Sequence, residues 1–102
     1  GGTYTPMEIK KGNVAIQVAT KMKETGNAHF KKDEFKEAAT CYSKALNFIM
    51  DVKLPPEVLM ADPKAVMMAC LTNKAVALFK AGDHEAVIEA TTAALAIDPS
   101  NE

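Results

Sequence analysis

The stretch KETGNAHFKKDEFKEAATCYSKAL, residues 23–46, contains two helical patterns separated by a very short break. In its second half, apolar residues recur at the spacing of one face of an α-helix, which predicts an amphipathic helix. The first half carries Gly26 in mid-pattern, although glycine costs a helix about 1 kcal/mol relative to alanine. The sequence therefore predicts a helical hairpin and raises the question of what Gly26 contributes. The apolar side of the second helix comprises Phe35, Ala38, Ala39, Tyr42, Ala45, Leu46 and Ile49.

Helical spacing extends on both sides of this stretch. We expect a first helix over 14–32 with Asn13 as its cap, and a second over about 34–52 with Asp33 as its cap. Residues 1–13 are expected to be flexible. The next segment, KLPPEVLMAD (53–62), contains adjacent prolines and is predicted to be a linker.

The second half of the chain repeats this arrangement. Asp62 followed by Pro63 marks a helix start, and Ala81-Gly82 marks a helix end, which predicts a third helix over about 63–80. Asp83 can cap a fourth helix over 84–97. No segment has the alternation of a β-strand, so the predicted fold class is all-α.

Composition narrows the class of protein. The chain has 102 residues, 48% of them hydrophobic, and a net charge of −1, which is ordinary for one small globular domain. All 12 basic residues are lysines. The guanidinium fork that binds phosphates or guanine edges is therefore missing, which argues against nucleic-acid binding.

Two further features favour a cytoplasmic location. No apolar run approaches the roughly 18 residues of a membrane helix, and the start GGTYTPMEIKKGN lacks the apolar core of a signal peptide. Cys41 and Cys70 each stand alone, without a second thiol or a histidine at metal-ligand spacing. We therefore predict reduced, buried thiols, no metal and no cofactor.

An internal repeat is evident when the two helical pairs are aligned on their turns. KKDEFKEAATCYSKAL (31–46) lies over KAGDHEAVIEATTAAL (80–95), an offset of 49 residues. The pattern resembles the tetratricopeptide repeat, a helix-turn-helix unit of about 34 residues. Val87 and Thr91 depart from its usual small and aromatic residues. The matching positions are Met22, Thr25, Gly26, His29, Ala38, Tyr42 and Ala45 in the first copy, and Leu71, Lys74, Ala75, Leu78, Val87, Thr91, Ala94 and Pro99 in the second.

The resemblance implies an all-α right-handed solenoid and a role for the glycine. Gly26 and its counterpart Ala75 would lie where the two helices of a repeat approach closely. His29 and His84 would be half-buried against a partner helix in structural roles. The predicted domain spans 14–102, with repeat 1 over about 19–52, a linker over 53–62 and repeat 2 over about 63–102.

The long offset makes the resemblance more specific. It exceeds the usual unit by about 15 residues, which lengthen the helices around the proline turn. This extension is similar to that of immunophilin co-chaperones of the FK506-binding and cyclophilin types. In those proteins the repeats follow a prolyl isomerase domain, which this chain lacks, so no isomerase activity is assigned to it.

The family's groove implies a binding site. Lys23 and Asn27 lie four residues apart on one helical face, and with Asn73 they match a carboxylate clamp, which holds the C-terminal aspartate of a peptide. The implied partner is the acidic EEVD tail of the ninety- or seventy-kilodalton heat-shock chaperones. Phe30 would contact an apolar residue of the peptide, and Lys31 would add attraction for acidic residues. The full set of predicted peptide-binding residues is Lys23, Asn27, Phe30, Asn73, Thr20, Val76 and Lys80.

Other interpretations stay open at this point. Lysine and asparagine on an exposed helical face are often merely solvated. The groove could also bind a partner that lacks a terminal aspartate. The chain ends where a third repeat would begin, so the clamp is expected to be partial, and self-association through the last helix is a further alternative. That helix carries the apolar residues Val87, Ile88, Ala94, Leu95 and Ile97. No paired carboxylates, metal ligands or phosphate loop favour an enzyme.

Overall fold

Four α-helices form two consecutive helical hairpins in the computed structural model, which describes residues 3–97. Each helix packs against the next one along the chain, and α1 also contacts α3. A short 3-10 turn at Pro56–Val58 lies between the hairpins, and residues 3–97 contain no strand. The all-α prediction is confirmed. The helices are α1 (Pro6–Lys31), α2 (Phe35–Ile49), α3 (Pro63–Ala81) and α4 (His84–Ile97).

Helix α1 begins at Pro6, eight residues before the predicted start at Val14. The Glu8 N–H donates to Thr5 Oγ1 at 3.1 Å, and the Thr5 N–H donates to Glu8 Oε1 at 3.3 Å. This capping box satisfies two backbone donors, and proline is well suited to the first helical position. Residues 6–13, which were expected to precede the first helix, are therefore helical, and Asn13 lies inside the helix rather than capping it.

The added turns of α1 pack against the linker between the hairpins. Asn13 Oδ1 accepts a hydrogen bond from the Met60 N–H at 2.8 Å. A Cβ on Gly12 would lie 2.8 Å from Leu59 Cδ2 and 3.4 Å from Leu54 Cδ1, so the linker approaches the helix closely here. The N-terminal half of α1 is thus held by the segment between α2 and α3.

Helix α3 begins where the sequence predicts. The Lys64 N–H donates to the Asp62 carboxylate at 3.0 Å, and Pro63 occupies the first helical position. This arrangement confirms the start signal that Asp62-Pro63 provides. The division of the chain into repeats and linker stays a prediction.

The turns inside the two hairpins have the same geometry. Asp33 and Gly82 both have a left-handed backbone, with φ of 61° and 84°. The residue after each donates its N–H to a carbonyl five residues earlier, Glu34 to His29 and Asp83 to Leu78. Asp33 therefore ends α1 rather than capping α2, which corrects the prediction. Aspartate is among the few non-glycine residues that tolerate this conformation.

The cap positions follow from these turns. Glu34 precedes α2 and makes no side-chain capping bond. Its aligned counterpart Asp83 caps α4, since the Ala86 N–H donates to the Asp83 carboxylate at 3.2 Å. The prediction that Asp83 caps the fourth helix is confirmed.

Small side chains dominate the core and allow the helices to approach one another. One cluster comprises Ile16, Ala19, Ala45, Ile49 and Cys70. The other comprises Ala38, Ala39, Tyr42, Ala77 and Leu78. A Cβ on Gly26 would lie 2.7 Å from Cε1 of the buried Tyr42 ring, which confirms that this glycine permits close approach of α1 and α2.

The apolar face expected on α4 is only partly exposed. Ile88 is 66% exposed and Leu95 is 46% exposed. Val87 instead packs against the second core cluster, and Ala94 and Ile97 are half-buried. Pro99, which was assigned to the second repeat, lies outside the described residues.

A buried thiol, Cys70, and a buried phenol, Tyr42, predict a loss of stability at alkaline pH. Burial raises the pKa of the Cys70 thiol, although the charge of Lys23 partly opposes this, and burial followed by the nearby Cys70 and Cys41 raises the pKa of Tyr42. The unfolded chain releases these protons first, so it binds fewer protons than the native state and the free energy of unfolding falls as pH rises.

We therefore expect urea midpoints to be constant near pH 7 and to fall above about pH 8.5, the ordinary pKa of cysteine. The Cys70→Ala variant should show a smaller fall between about pH 8.5 and about pH 9.5. Denaturation curves at several pH values measure this. Equal pH dependence in the variant and the parent chain would contradict the role given to Cys70.

Candidate functional site

A groove of about 410 Å³ lies between α1 and α3, with Tyr42 of α2 contributing to its lining. Four of the predicted binding residues line it. Two of the four come from α1 and two from α3, so residues far apart in sequence face one another. The lining residues are Asn27, Phe30, Lys31, Tyr42, Asn73 and Val76.

The helical repeat explains why these side chains meet. On α1, Asn27 and Lys31 are four residues apart and so lie one above the other on one face. On α3, Asn73 and Val76 are three residues apart and lie together in the same way. Because α1 and α3 contact each other, the two faces form opposite walls of one groove.

The Asn27 side chain accepts hydrogen bonds from Tyr42 and from Asn73. The Tyr42 hydroxyl donates to Asn27 Oδ1 at 2.5 Å. Asn73 Nδ2 donates to the same oxygen at 3.4 Å, across 46 residues of sequence. The Asn27 carbonyl therefore accepts two hydrogen bonds from within the protein, while both N–H groups of its Nδ2 have no partner among the described residues.

Three predicted residues lie outside the groove lining. Lys23 is half-buried on α1, one turn before Asn27, and its charge acts on the buried Cys70 thiol. Thr20 is half-buried a further turn back. Lys80 is exposed at the end of α3, with its ammonium 5.8 Å from the centre of the Phe35 ring, a cation–π geometry.

Aromatic contacts fix the groove wall at Phe30. The Phe30 and Phe35 rings meet edge to face, with centroids 5.2 Å apart and an interplanar angle of 72°. Phe30 thus holds one position between the turn and the groove. Since Lys80 stands over Phe35, a positive charge lies next to this apolar wall.

The histidines have different environments. His29 is about one-third exposed, and its Nδ1 lies 2.8 Å from Glu34 Oε1 across the first turn. His84 is exposed at the start of α4 and meets only the edge of Phe79 among aromatic rings. The prediction of half-burial is therefore right for His29 and wrong for His84.

Sequence reasoning missed the contribution of Tyr42 to the groove. The helical pattern assigned it to the apolar side of α2, and its ring is indeed 1% exposed. The signal that could have found it is its residue type. A buried tyrosine hydroxyl needs a hydrogen-bond partner, which phenylalanine would not.

Neither a metal site nor a membrane span emerges from residues 3–97. No group of three or more histidine, cysteine or acidic side chains is placed to hold a metal ion there. No helix in this range combines the length and apolar character needed to cross a bilayer.

No family model matches the sequence. A solved structure that resembles the chain is the C-terminal TPR-containing domain of an FK506-binding protein from Plasmodium falciparum, with a TM-score of 0.75 and 31% identity. The chain has a tetratricopeptide-repeat fold. The match covers 96% of this chain and 62% of the Plasmodium chain, so it spans less than two thirds of that domain's length. Helices α1 and α3 are the first helices of the two hairpins, and the groove lies between them.

Proposed function

We propose that this chain is the protein-interaction module of a co-chaperone and binds the acidic C-terminal EEVD peptide of the ninety- or seventy-kilodalton heat-shock chaperones. The observation that carries the proposal is the Asn27–Asn73 pair in the groove. Asn27 Oδ1 already accepts two hydrogen bonds from within the protein. The N–H groups of Asn27 Nδ2 are therefore left for a ligand. A carboxylate only accepts hydrogen bonds, so it complements such a site.

The other lining residues fit the same ligand. Lys31 adds a positive charge on the wall that carries Asn27. Phe30 and Val76 provide apolar surface on opposite walls, suited to the valine that precedes the terminal aspartate. Charged hydrogen bonds would hold the peptide end, and apolar contact would select the residue before it.

The three predicted residues outside the groove lining would act at its edges in this proposal. Lys23 is one turn from Asn27 on α1 and would supply a second positive charge on extension toward a bound carboxylate. Lys80 would attract the peptide's glutamates from the groove edge next to Phe35. Thr20 would contact the peptide only if the peptide extended along α1 past Lys23.

The resemblance to the Plasmodium protein bears on the kind of longer protein to which this chain would belong. That protein is named as FK506-binding, which supports an immunophilin-type parent for this chain, with any isomerase activity in a separate upstream domain. On this proposal the chain itself is a binding module and not an enzyme. The two free cysteines, Cys41 and Cys70, fit the reducing cytoplasm as its location.

Paired peptides test the proposal. Acetylated MEEVD with a free C-terminus should bind, and the same peptide amidated at its C-terminus should bind at least about tenfold more weakly, because it loses a charged acceptor. Titration calorimetry or NMR at high peptide concentration measures both. Light scattering over the same concentrations shows whether α4 mediates self-association.

Each result has a distinct meaning. Equal binding of both peptides would contradict the clamp and favour a groove that reads a partner without a terminal carboxylate. Absence of binding by either peptide would contradict the proposed ligand. Growth of particle mass with concentration would favour the alternative of self-association through the exposed Ile88 and Leu95.

A further inference from the structure

The Tyr42 hydroxyl is the one part of that side chain that packing does not require. The ring is 1% exposed and belongs to the second core cluster, where a phenylalanine ring would fill the same volume. The hydroxyl reaches the groove and donates to Asn27 Oδ1. Its position therefore points to a task in the groove rather than in the core.

The orientation of the Asn27 amide depends on its two hydrogen bonds. A carbonyl oxygen offers two lone pairs, and here Tyr42 and Asn73 fill both. Rotating the amide by a half turn would bring its N–H groups against the Asn73 N–H and would leave the Tyr42 hydroxyl proton without an acceptor. The amide is thereby held with its oxygen inward, and its N–H groups are left for a ligand.

We propose that Tyr42 is a positioning residue that locks the Asn27 amide with its N–H groups toward the ligand, so that Asn27 donates hydrogen bonds to the ligand and accepts none from it. The inference rests on the proposed peptide function and adds the device that selects the ligand class. A site of this kind takes an acceptor-only group such as a carboxylate. A carboxamide is disfavoured, because one side of it carries N–H groups that would meet the Asn27 donors.

Gly26 is part of the same device. A Cβ at this position would lie 2.7 Å from Tyr42 Cε1, 3.0 Å from Cδ1 and 3.1 Å from Cζ. The glycine therefore sets how close the ring lies to α1, and the next residue along that helix is Asn27. Close helix approach and amide orientation are linked through one tyrosine ring.

The Tyr42→Phe variant separates positioning from packing, since it removes only the hydroxyl. We expect the ratio of free-acid to amidated MEEVD affinity to fall by about five- to tenfold, because the Asn27 amide can then present its oxygen to the groove. Tyr4→Phe is the matched control, because Tyr4 is the other tyrosine, lies before α1 and does not line the groove. Its affinity ratio should equal that of the parent chain.

A ligand-free measurement keeps this inference separate from the proposed function. In the parent chain, nuclear Overhauser contacts between the Asn27 Nδ2 protons and the ring at position 42 should be weak, since the oxygen faces the ring. They should strengthen in Tyr42→Phe as the amide samples the other orientation. If neither peptide binds the parent chain, the peptide proposal fails and these contacts alone decide the role of Tyr42. An unchanged contact pattern, or an equal loss of affinity for both peptides, would overturn the inference.

Discussion

Replacing Asn27 with alanine should weaken binding of free-acid MEEVD by roughly ten- to a hundredfold. The variant removes the Nδ2 donor in the groove, and one hydrogen bond to a charged group contributes about 1.5–3 kcal/mol, which corresponds to this loss of affinity. It also removes the acceptor of the buried Tyr42 hydroxyl and the partner of Asn73. We therefore expect a second effect, a fall of about 1–3 kcal/mol in the free energy of unfolding. Peptide titration and urea denaturation measure the two effects.

A second asparagine provides the control. Asn47 is exposed on α2 and lines a different surface depression from Asn27. Asn47→Ala should leave both the peptide affinity and the urea midpoint close to those of the parent chain. If Asn27→Ala bound the peptide as well as Asn47→Ala does, the groove would not be the binding site.

Replacing Gly26 with alanine should destabilise the domain, although alanine is the better helix former. The new methyl group would meet the buried Tyr42 ring, so the ring or the helix must shift within a packed core. Overpacking of this kind costs about 1–3 kcal/mol, against a gain of about 1 kcal/mol in helix propensity. We expect a net loss of up to about 2 kcal/mol, and thermal unfolding should show a midpoint lower by several degrees.

Gly12 on the same helix is the matched control for Gly26. Both glycines are buried on α1, but the atom that a methyl group at Gly12 would meet is Cδ2 of the half-buried Leu59. That flexible side-chain end can turn away at little cost, so Gly12→Ala should range from neutral to about 1 kcal/mol more stable. Equal unfolding midpoints for Gly26→Ala and Gly12→Ala would show that contact with Tyr42 does not determine the stability of the Gly26 variant.

Much of the fold is predictable because the repeat imposes a register on the sequence. Helical spacing predicts the four helices, and the alignment of the two turns places Asp33 opposite Gly82, where the structure has matching left-handed residues. The start of α1 was missed although its signal, Thr5 followed by Glu8, is present. The first turns of α1 lack a buried apolar stripe of their own, because they pack through Gly12 against the linker.

The candidate site is predictable in part. The register alone brings Asn27 and Asn73 to facing walls, because equivalent helices of successive repeats lie side by side. It does not show that Asn27 Oδ1 is shared by Tyr42 and Asn73, or that Lys80 lies over Phe35. These details depend on helix separation and side-chain rotamers, which a linear pattern does not contain.

The most direct test of the carboxylate clamp is an NMR titration that follows the side-chain amide signals of Asn27 and Asn73. Acetylated MEEVD with a free C-terminus should shift both pairs of signals, while the amidated peptide at the same concentration should leave them nearly unmoved. The Asn47 side-chain signals, on another face, should not move with either peptide. Equal shifts with both peptides, or none with the free acid, would contradict a clamp built on these two asparagines.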